Sequence, residues 1–214
     1  NCTPKTTLFS FLQMISHTLE MRPLLRVKSK EEYFIQEELA KHYDELLEPE
    51  PSTYDPEYDD FIASIKTALF FSEWIEENNE EYLLEKYDIR PGEIRVKVDL
   101  ADWLLYSCEE LVKIKSENRE LLKEITRLRM RVQYGVKEEL LPLLRLKGIG
   151  RVRARKLIHN GIRNLGDVKK IELSTLSQMI GKAIAEDVKK QVGEEIPEEI
   201  SPRKRKGQMS MEKY

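Results

Sequence analysis

Cysteine and histidine are scarce in this chain: two Cys and three His stand among 214 residues. Cys2 and Cys108 make neither a zinc-ligand spacing nor a disulfide framework, so a reducing, cytoplasmic setting is the expectation. His17, His42 and His159 have no ligand spacing either. No run approaches the ~20 apolar residues of a membrane span, and no signal-peptide pattern opens the chain. Period-two alternation is lacking throughout, which favours an all-α fold over a mixed one. There is no P-loop, nucleophile elbow or zincin motif, so no catalytic residue, metal or cofactor is assigned to this chain. The acidic pairs Asp59/Asp60 and Asp99/Asp102 lack a neighbouring His or glycine-rich loop and read as solvated helix faces. The chain begins at Asn1 rather than Met and is read as a piece of a longer protein.

What is abundant is charge, unevenly placed. The net charge of −3 conceals an acidic stretch, residues 1–135, and a basic one, residues 136–214. Between Leu140 and Gly166 there are seven Lys or Arg and no Asp or Glu. The C-terminal third is therefore the better polyanion surface.

Helical signals fill the first part. Thr3-Pro4 reads as an N-cap with Pro at the first helical position, followed by Leu8, Phe11, Leu12, Ile15 and Leu19 at helical spacing. Ser29 with Glu32 reads as a capping box opening a helix to about Leu47. Glu48–Asp55 is a loop. Asp55-Pro56 starts a helix whose Phe61, Ile62, Ile65, Leu69 and Ile75 share a face. A short helix near Glu80–Tyr87 ends before a turn at Arg90-Pro91-Gly92. A helix over Glu93–Lys115 carries Ile94, Val98, Ala101, Leu105, Cys108 and Val112 as a narrow core seam. Another, about Ser116–Gln133, carries Arg127, Arg129 and Arg131 and is capped by Gly135.

Residues 136–197 read as a separate unit. The segment LKGIGRVRARKL, Leu146–Leu157, is a glycine hairpin flanked by apolar residues and followed by Arg151, Arg153, Arg155 and Lys156. Gly148 and Gly150 are expected to adopt backbone angles barred to other residues and to bring N–H groups to a phosphate at a helix start. Such contacts go to the nucleic-acid backbone and are independent of base sequence. The competing reading is a purely structural turn in a basic domain. Ile180-Gly181-Lys182-Ala183 is a candidate degenerate second hairpin, with Ile171, Leu173, Leu176, Met179 and Val188 supplying the shared core. The tail from residue 198 carries Arg203-Lys204-Arg205-Lys206 and reads as disordered.

Trp103 is the other feature of interest. At 100° per residue it lies about 180° from the seam begun at Ile94, so it does not pack with that seam. A Trp turned away from the core face is a stacking platform for a base. Val96, Leu100, Leu104 and Leu111 form a second apolar strip beside it, and a helix buried all round would use Trp103 for packing instead. On the residues alone, packing is the preferred of the two. Trp74 reads as a core residue.

Arg90–Ser107 (RPGEIRVKVDLADWLLYS) and Gly135–Leu157 (GVKEELLPLLRLKGIGRVRARKL), continuing through Asn160-Gly161-Ile162-Arg163, resemble the C-terminal domains of the archaeal Hjm-type DNA helicases. These are superfamily 2 enzymes related to the helicase part of polymerase theta. The resemblance implies a helical-bundle "ratchet" domain over residues 1–135 and a helix-hairpin-helix domain over residues 136–197, with residues 198–214 a basic tail. It implies a long helix crossing a single-stranded DNA channel, with Trp103 stacking on a base beside an Arg about two turns earlier. Val96 occupies the position seven before Trp103, flanked by Arg95 and Lys97; Arg95 is preferred as the partner. It further implies a brake or clamp on the emerging strand, placed on Arg151, Arg153 and Arg155. The function so implied is the DNA-binding part of an ATP-dependent 3′ to 5′ helicase acting on single-stranded and forked DNA in fork repair and recombination. ATP and Mg²⁺ belong to motor domains of the parent, and this chain is expected neither to hydrolyse ATP nor to unwind DNA alone. An alternative reading makes the chain an interaction module whose acidic bundle docks a partner. In that reading Gln208, Met211 and Tyr214, which have the Gln, aliphatic and aromatic spacing of a clamp-binding peptide, hold a sliding clamp; chance spacing in an unrelated tail is the preferred of the two.

Overall fold

A computed structural model of the chain describes residues 6–115 and 118–193. Thr3-Pro4, the tail from residue 198 and the clamp-like Gln208, Met211 and Tyr214 lie outside the described residues. Within them every regular element is helical and no strand occurs, so the fold is all-α. The chain divides into two compact units between Glu138 and Glu139, slightly beyond the expected boundary. A main-chain hydrogen bond from Lys137 to the Glu77 carboxylate (3.1 Å) ties that connection to the first unit.

The first unit contains α1 (Leu8–Ser16), α2 (Glu32–Lys41), α3 (Tyr58–Ile75), α4 (Glu80–Tyr87), α5 (Pro91–Lys115) and α6 (Arg119–Tyr134). Thr7 caps α1, in a reciprocal capping box with Ser10. Buried Phe61, Ile65, Ala68, Phe70 and Phe71 put α3 at the centre, against α1, α2, α4 and α6. Each fully buried side chain of this kind contributes about 1.5–3 kcal/mol of transfer free energy. α5 and α6 form the most extensive helix pair, and the predicted α5 seam is buried at Ile94, Val98, Ala101 and Leu105 and half-buried at Cys108 and Val112.

Several local expectations need correction. Ser29 and Glu32 form no capping box; α2 begins after Glu31 without a side-chain cap and ends at Lys41. Glu31 rather than Glu32 is the acid that reaches back along the chain, accepting from the Lys28 N–H at 3.0 Å and from Lys66 at 2.7 Å. Pro91 and Gly92 are not a turn but the first residues of α5, where the missing N–H of Pro costs nothing. Asp102 is not on a solvated face: it is buried against Arg129. Gly135 does cap α6, in the left-handed region at φ +62°. A Cβ there would lie 2.6 Å from the ring of Trp74, whose indole N–H donates to the Val132 carbonyl at 2.7 Å. Trp74 is thus a packing residue, as its sequence context indicates.

The second unit contains α7 (Leu141–Leu144), α8 (Arg151–His159), α9 (Leu165–Lys170), α10 (Leu173–Ile180) and α11 (Lys182–Gly193). Its core is built from Leu143, Leu146, Ala154, Leu157, Val168, Leu176, Ala185 and Val188. Of the five core residues expected around the second hairpin, Leu176 and Val188 are buried, whereas Leu173 is exposed because it opens α10 on the outer side.

Candidate nucleic-acid interface

In the second unit, α7 and α8 are joined through Leu146–Gly150. The turn is closed by the Ile149 N–H donating to the Leu146 carbonyl, and buried Ile149 anchors it from below. Gly148 has φ +84°, and a Cβ would meet only Ile184 at ordinary contact distance, so the backbone angle alone demands glycine. Gly150 differs from expectation. Its φ of −109° and ψ of −175° are ordinary extended backbone, open to any residue. What Gly150 contributes is open space: a Cβ there would meet nothing within 4 Å, and as N-cap it offers α8 no side-chain cap. A bare helix start with the positive end of its dipole facing outward suits an anion.

The basic residues after the hairpin have distinct settings. Arg153 is exposed and folds back to the Gly148 carbonyl at 3.0 Å. Lys156 is exposed one turn after Val152, which is also exposed. Arg151 is half-buried. Arg155 is half-buried and donates to the Glu139 carboxylate at 2.6 Å, so part of its charge is answered within the unit. A second hairpin joins α10 to α11 through Gly181, at φ +91°, giving a tandem in which only one glycine is needed.

Sequence reasoning missed Gln191. From α11 its amide oxygen accepts from the Lys147 N–H at 2.8 Å, and its nitrogen donates to the Lys147 carbonyl at 3.1 Å. Both main-chain polar groups of one hairpin residue, in two successive peptides, are thereby held by one side chain, itself steadied by Asp187 at 2.9 Å. Nothing local to Lys147 signals this, since the partner is 44 residues away.

In the first unit, Arg95 and Trp103 are both exposed on α5, and the indole keeps 44% of its surface in solvent. The strip beside it is largely uncovered too, with Val96 and Leu111 exposed and only Leu104 buried. Packing is therefore not the use of this face within the unit. Lys97 points the other way: it is 6% exposed and its ammonium donates to the Pro23 carbonyl at 2.6 Å. Burial holds its pKa below the usual lysine value, with Glu93 acting in the opposite sense. Lys97 is thus committed to the fold, while Arg95 reaches solvent.

The inward side of the same helix carries an ion cluster. Arg129 of α6 donates to Asp102 at 2.8 Å and to Glu109 at 3.0 Å, and lies over the Tyr106 ring at 4.7 Å. Burial pushes the Glu109 carboxyl above its usual range, against the pull of Arg129. The cluster fixes the rotation of α5, and hence the direction of Trp103, which follows Asp102 directly.

Among the described residues, a helical bundle with an exposed aromatic helix face and a tandem helix-hairpin-helix unit together define the class of a DNA-binding portion. The comparisons are specific. Residues 9–135 match the family described as archaeal helicase, domain 4, and residues 140–194 match the SAM-like helix-hairpin-helix tandem. The chain belongs to the archaeal helicase domain 4 family. It is 42% identical over 178 residues to the ATP-dependent DNA helicase Hel308 of Methanococcus vannielii, covering 81% of this chain and 22% of that one. It is 35% identical over 207 residues to the enzyme of the same name from Thermococcus kodakarensis, covering 94% and 18%. For that of Pyrococcus horikoshii the identity is 34% over 198 residues, covering 90% and 27%. The chain spans about a fifth to a quarter of the length of these relatives. No described helix is long and apolar enough to cross a membrane.

Proposed function

We propose that this chain is the DNA-holding C-terminal portion of an ATP-dependent 3′ to 5′ DNA helicase that works in fork repair and recombination. The face of α5 bearing Arg95 and Trp103 is its track for translocating single-stranded DNA. The hairpin unit, through Gly148, Gly150, Arg151, Arg153, Arg155 and Lys156, holds the strand backbone and modulates unwinding. In this reading ATP and Mg²⁺ act in motor domains of the parent enzyme; the relatives are named ATP-dependent DNA helicases.

The observation that carries this reading is the exposed indole of Trp103, set opposite a buried seam within the stretch that matches a helicase domain. An aromatic platform is worth about 1–3 kcal/mol per stacked base, and the basic hairpin adds a salt-dependent term. The test is fluorescence anisotropy of this chain with a labelled oligothymidine. Trp103→Ala should lose affinity while Trp103→Phe retains much of it, both with unchanged thermal unfolding. Equal affinity for all three would refute the track. The alternative, an interaction module docking a partner or a sliding clamp, is tested by pull-down with and without residues 208–214.

A further inference from the structure

Between α1 and α2 the chain runs as a strap, Arg22–Lys28, over the surfaces of α3 and α5. Three helix side chains pin its backbone. Lys97 of α5 donates to the Pro23 carbonyl (2.6 Å), Lys66 of α3 donates to the Arg26 carbonyl (2.9 Å), and Thr67 of α3 accepts from the Leu25 N–H (3.3 Å). Lys66 is only 2% exposed, and buried Leu25 plugs the strap into the core. Burying two ammonium groups is costly unless each is hydrogen-bonded, so these lysines hold the strap in one place.

The strap's own cations face outward. Arg22, Arg26 and Lys28 are all exposed. Arg22 pairs with Asp60 and Lys28 with Asp88, each at 2.5 Å, whereas Arg26 has no ion-pair partner among the described residues. Arg22, Arg26 and Lys28 line a cavity of about 480 Å³ between the strap and the N-terminal half of α5, whose other wall includes Val96 and Leu100. Asp88 and Glu93 are the only carboxylates lining it, against four cations when Lys97 is counted. Val96 and Trp103 are seven residues apart, about 20° on the helix, so the cavity lies against the same face of α5 that presents the indole.

We propose that the strap is the second wall of the single-strand track. Phosphates of a strand lying along α5 pass Arg26, with Arg22 and Lys28 adding partly screened charge, while the bases face Val96 and Trp103. Cations spread over up to about 20 Å of extended chain suit a run of phosphates better than one small anion. Arg26 is then a backbone-binding residue, and Lys97 a positioning residue that acts through the strap. The proposal rests on the reading of α5 as a DNA track.

The test again uses this chain and a labelled 20-mer of oligothymidine, at several salt concentrations. Arg26→Glu should weaken binding roughly three- to tenfold and reduce the salt slope by about 0.7, the value for one single-strand phosphate contact. Arg26→Lys should restore most of the affinity. Thermal unfolding should not move, because only the carbonyl of Arg26 is used by the fold. Wild-type affinity and slope in Arg26→Glu, with Trp103→Ala still impaired, overturn the strap and leave the track standing. If neither variant changes binding, both fall. Photocross-linking with 4-thiothymidine in the oligonucleotide gives a second readout: adducts within residues 22–28 support the strap, and adducts confined to residues 145–163 refute it.

Discussion

Two helices of this protein carry the same arginine spacing and use it in opposite ways. In α6 the run is Arg127-Leu128-Arg129-Met130-Arg131; in α8 it is Arg151-Val152-Arg153-Ala154-Arg155. On α6, Arg129 is buried between Asp102 and Glu109, and Arg131 is buried against the Glu76 carboxylate and the carbonyls of Ile75 and Val136. On α8, Arg153 folds back to a hairpin carbonyl, Lys156 is exposed, and Arg155 donates to the Glu139 carboxylate. The difference lies in the neighbours. α6 packs along α5, which supplies two inward carboxylates seven residues apart, whereas no acid occurs between Leu140 and Gly166. Arginine count therefore says little about free positive charge; the supply of acid on the packing partner decides it.

The sharpest way to break this comparison is to remove one arginine from each run. Arg129→Met leaves Asp102 and Glu109 buried without their cation, a loss of about 3–5 kcal/mol. Arg153→Met should stay within about 0.5 kcal/mol. Urea unfolding followed by circular dichroism measures both, and equal midpoints for the two variants would show that the α6 cluster is not structural.

The glycines at the two sites separate in the same manner, with a smaller effect. Gly135→Ala places a methyl group 2.6 Å from the Trp74 ring at a positive φ, and should cost about 1–3 kcal/mol. Gly150→Ala meets open space on extended backbone and should cost under about 1 kcal/mol, that of a poorer N-cap. Its effect should appear instead in DNA affinity, through crowding of the hairpin. Thermal melts and anisotropy on the same two proteins check this.

These contrasts also mark what was legible in the sequence. Helix α4 falls at Glu80–Tyr87 as periodicity predicts, and the Gly135 cap and the position of Trp103 opposite the seam follow from spacing along one helix, although the apolar strip beside Trp103 argued for packing and the structure leaves the residue exposed. Spacing carries that information because it fixes direction around a single axis. What escaped depends on a second element. Asp102 looks solvated until α6 brings Arg129 to it, and Lys97 looks like a DNA contact until the strap covers it. Gln191 shows no signal at all, since its partner peptide is 44 residues away. Gly150 was misjudged because glycine was read as conformational need where the structure uses it for space.

A third contrast tests the Gln191 clamp. Gln191→Ala removes two hydrogen bonds to the main-chain N–H and carbonyl of Lys147, each worth about 0.5–1.5 kcal/mol. Amide exchange of Lys147 should accelerate by about tenfold, while the Arg129 cluster in the other unit keeps its protection. Unchanged exchange at Lys147 would mean that the hairpin holds itself.

The smallest expected effect is a pH dependence confined to the buried arginine. Burial raises the Glu109 carboxyl in the folded chain, with Arg129 opposing. The folded state then binds the Glu109 proton more tightly than the unfolded state does. Its contribution to stability is fully present below the unfolded value, near 4.5, and is lost as pH rises through the raised folded value. Glu31 works in the opposite sense. Burial tends to raise it, but hydrogen bonds from Lys66 and from the Lys28 N–H outweigh that and lower it, so its contribution is lost on acidification. Total stability against pH mixes the two, and a difference curve separates them. The gap in urea midpoint between wild type and Glu109→Gln should shift in favour of the variant as pH rises from about 4.5 toward neutrality. The same curve for Arg153→Met should stay flat, because that guanidinium faces only a carbonyl and solvent. A flat Glu109→Gln curve would place Glu109 among ordinary surface carboxylates and remove the electrostatic distinction between the two arginine runs.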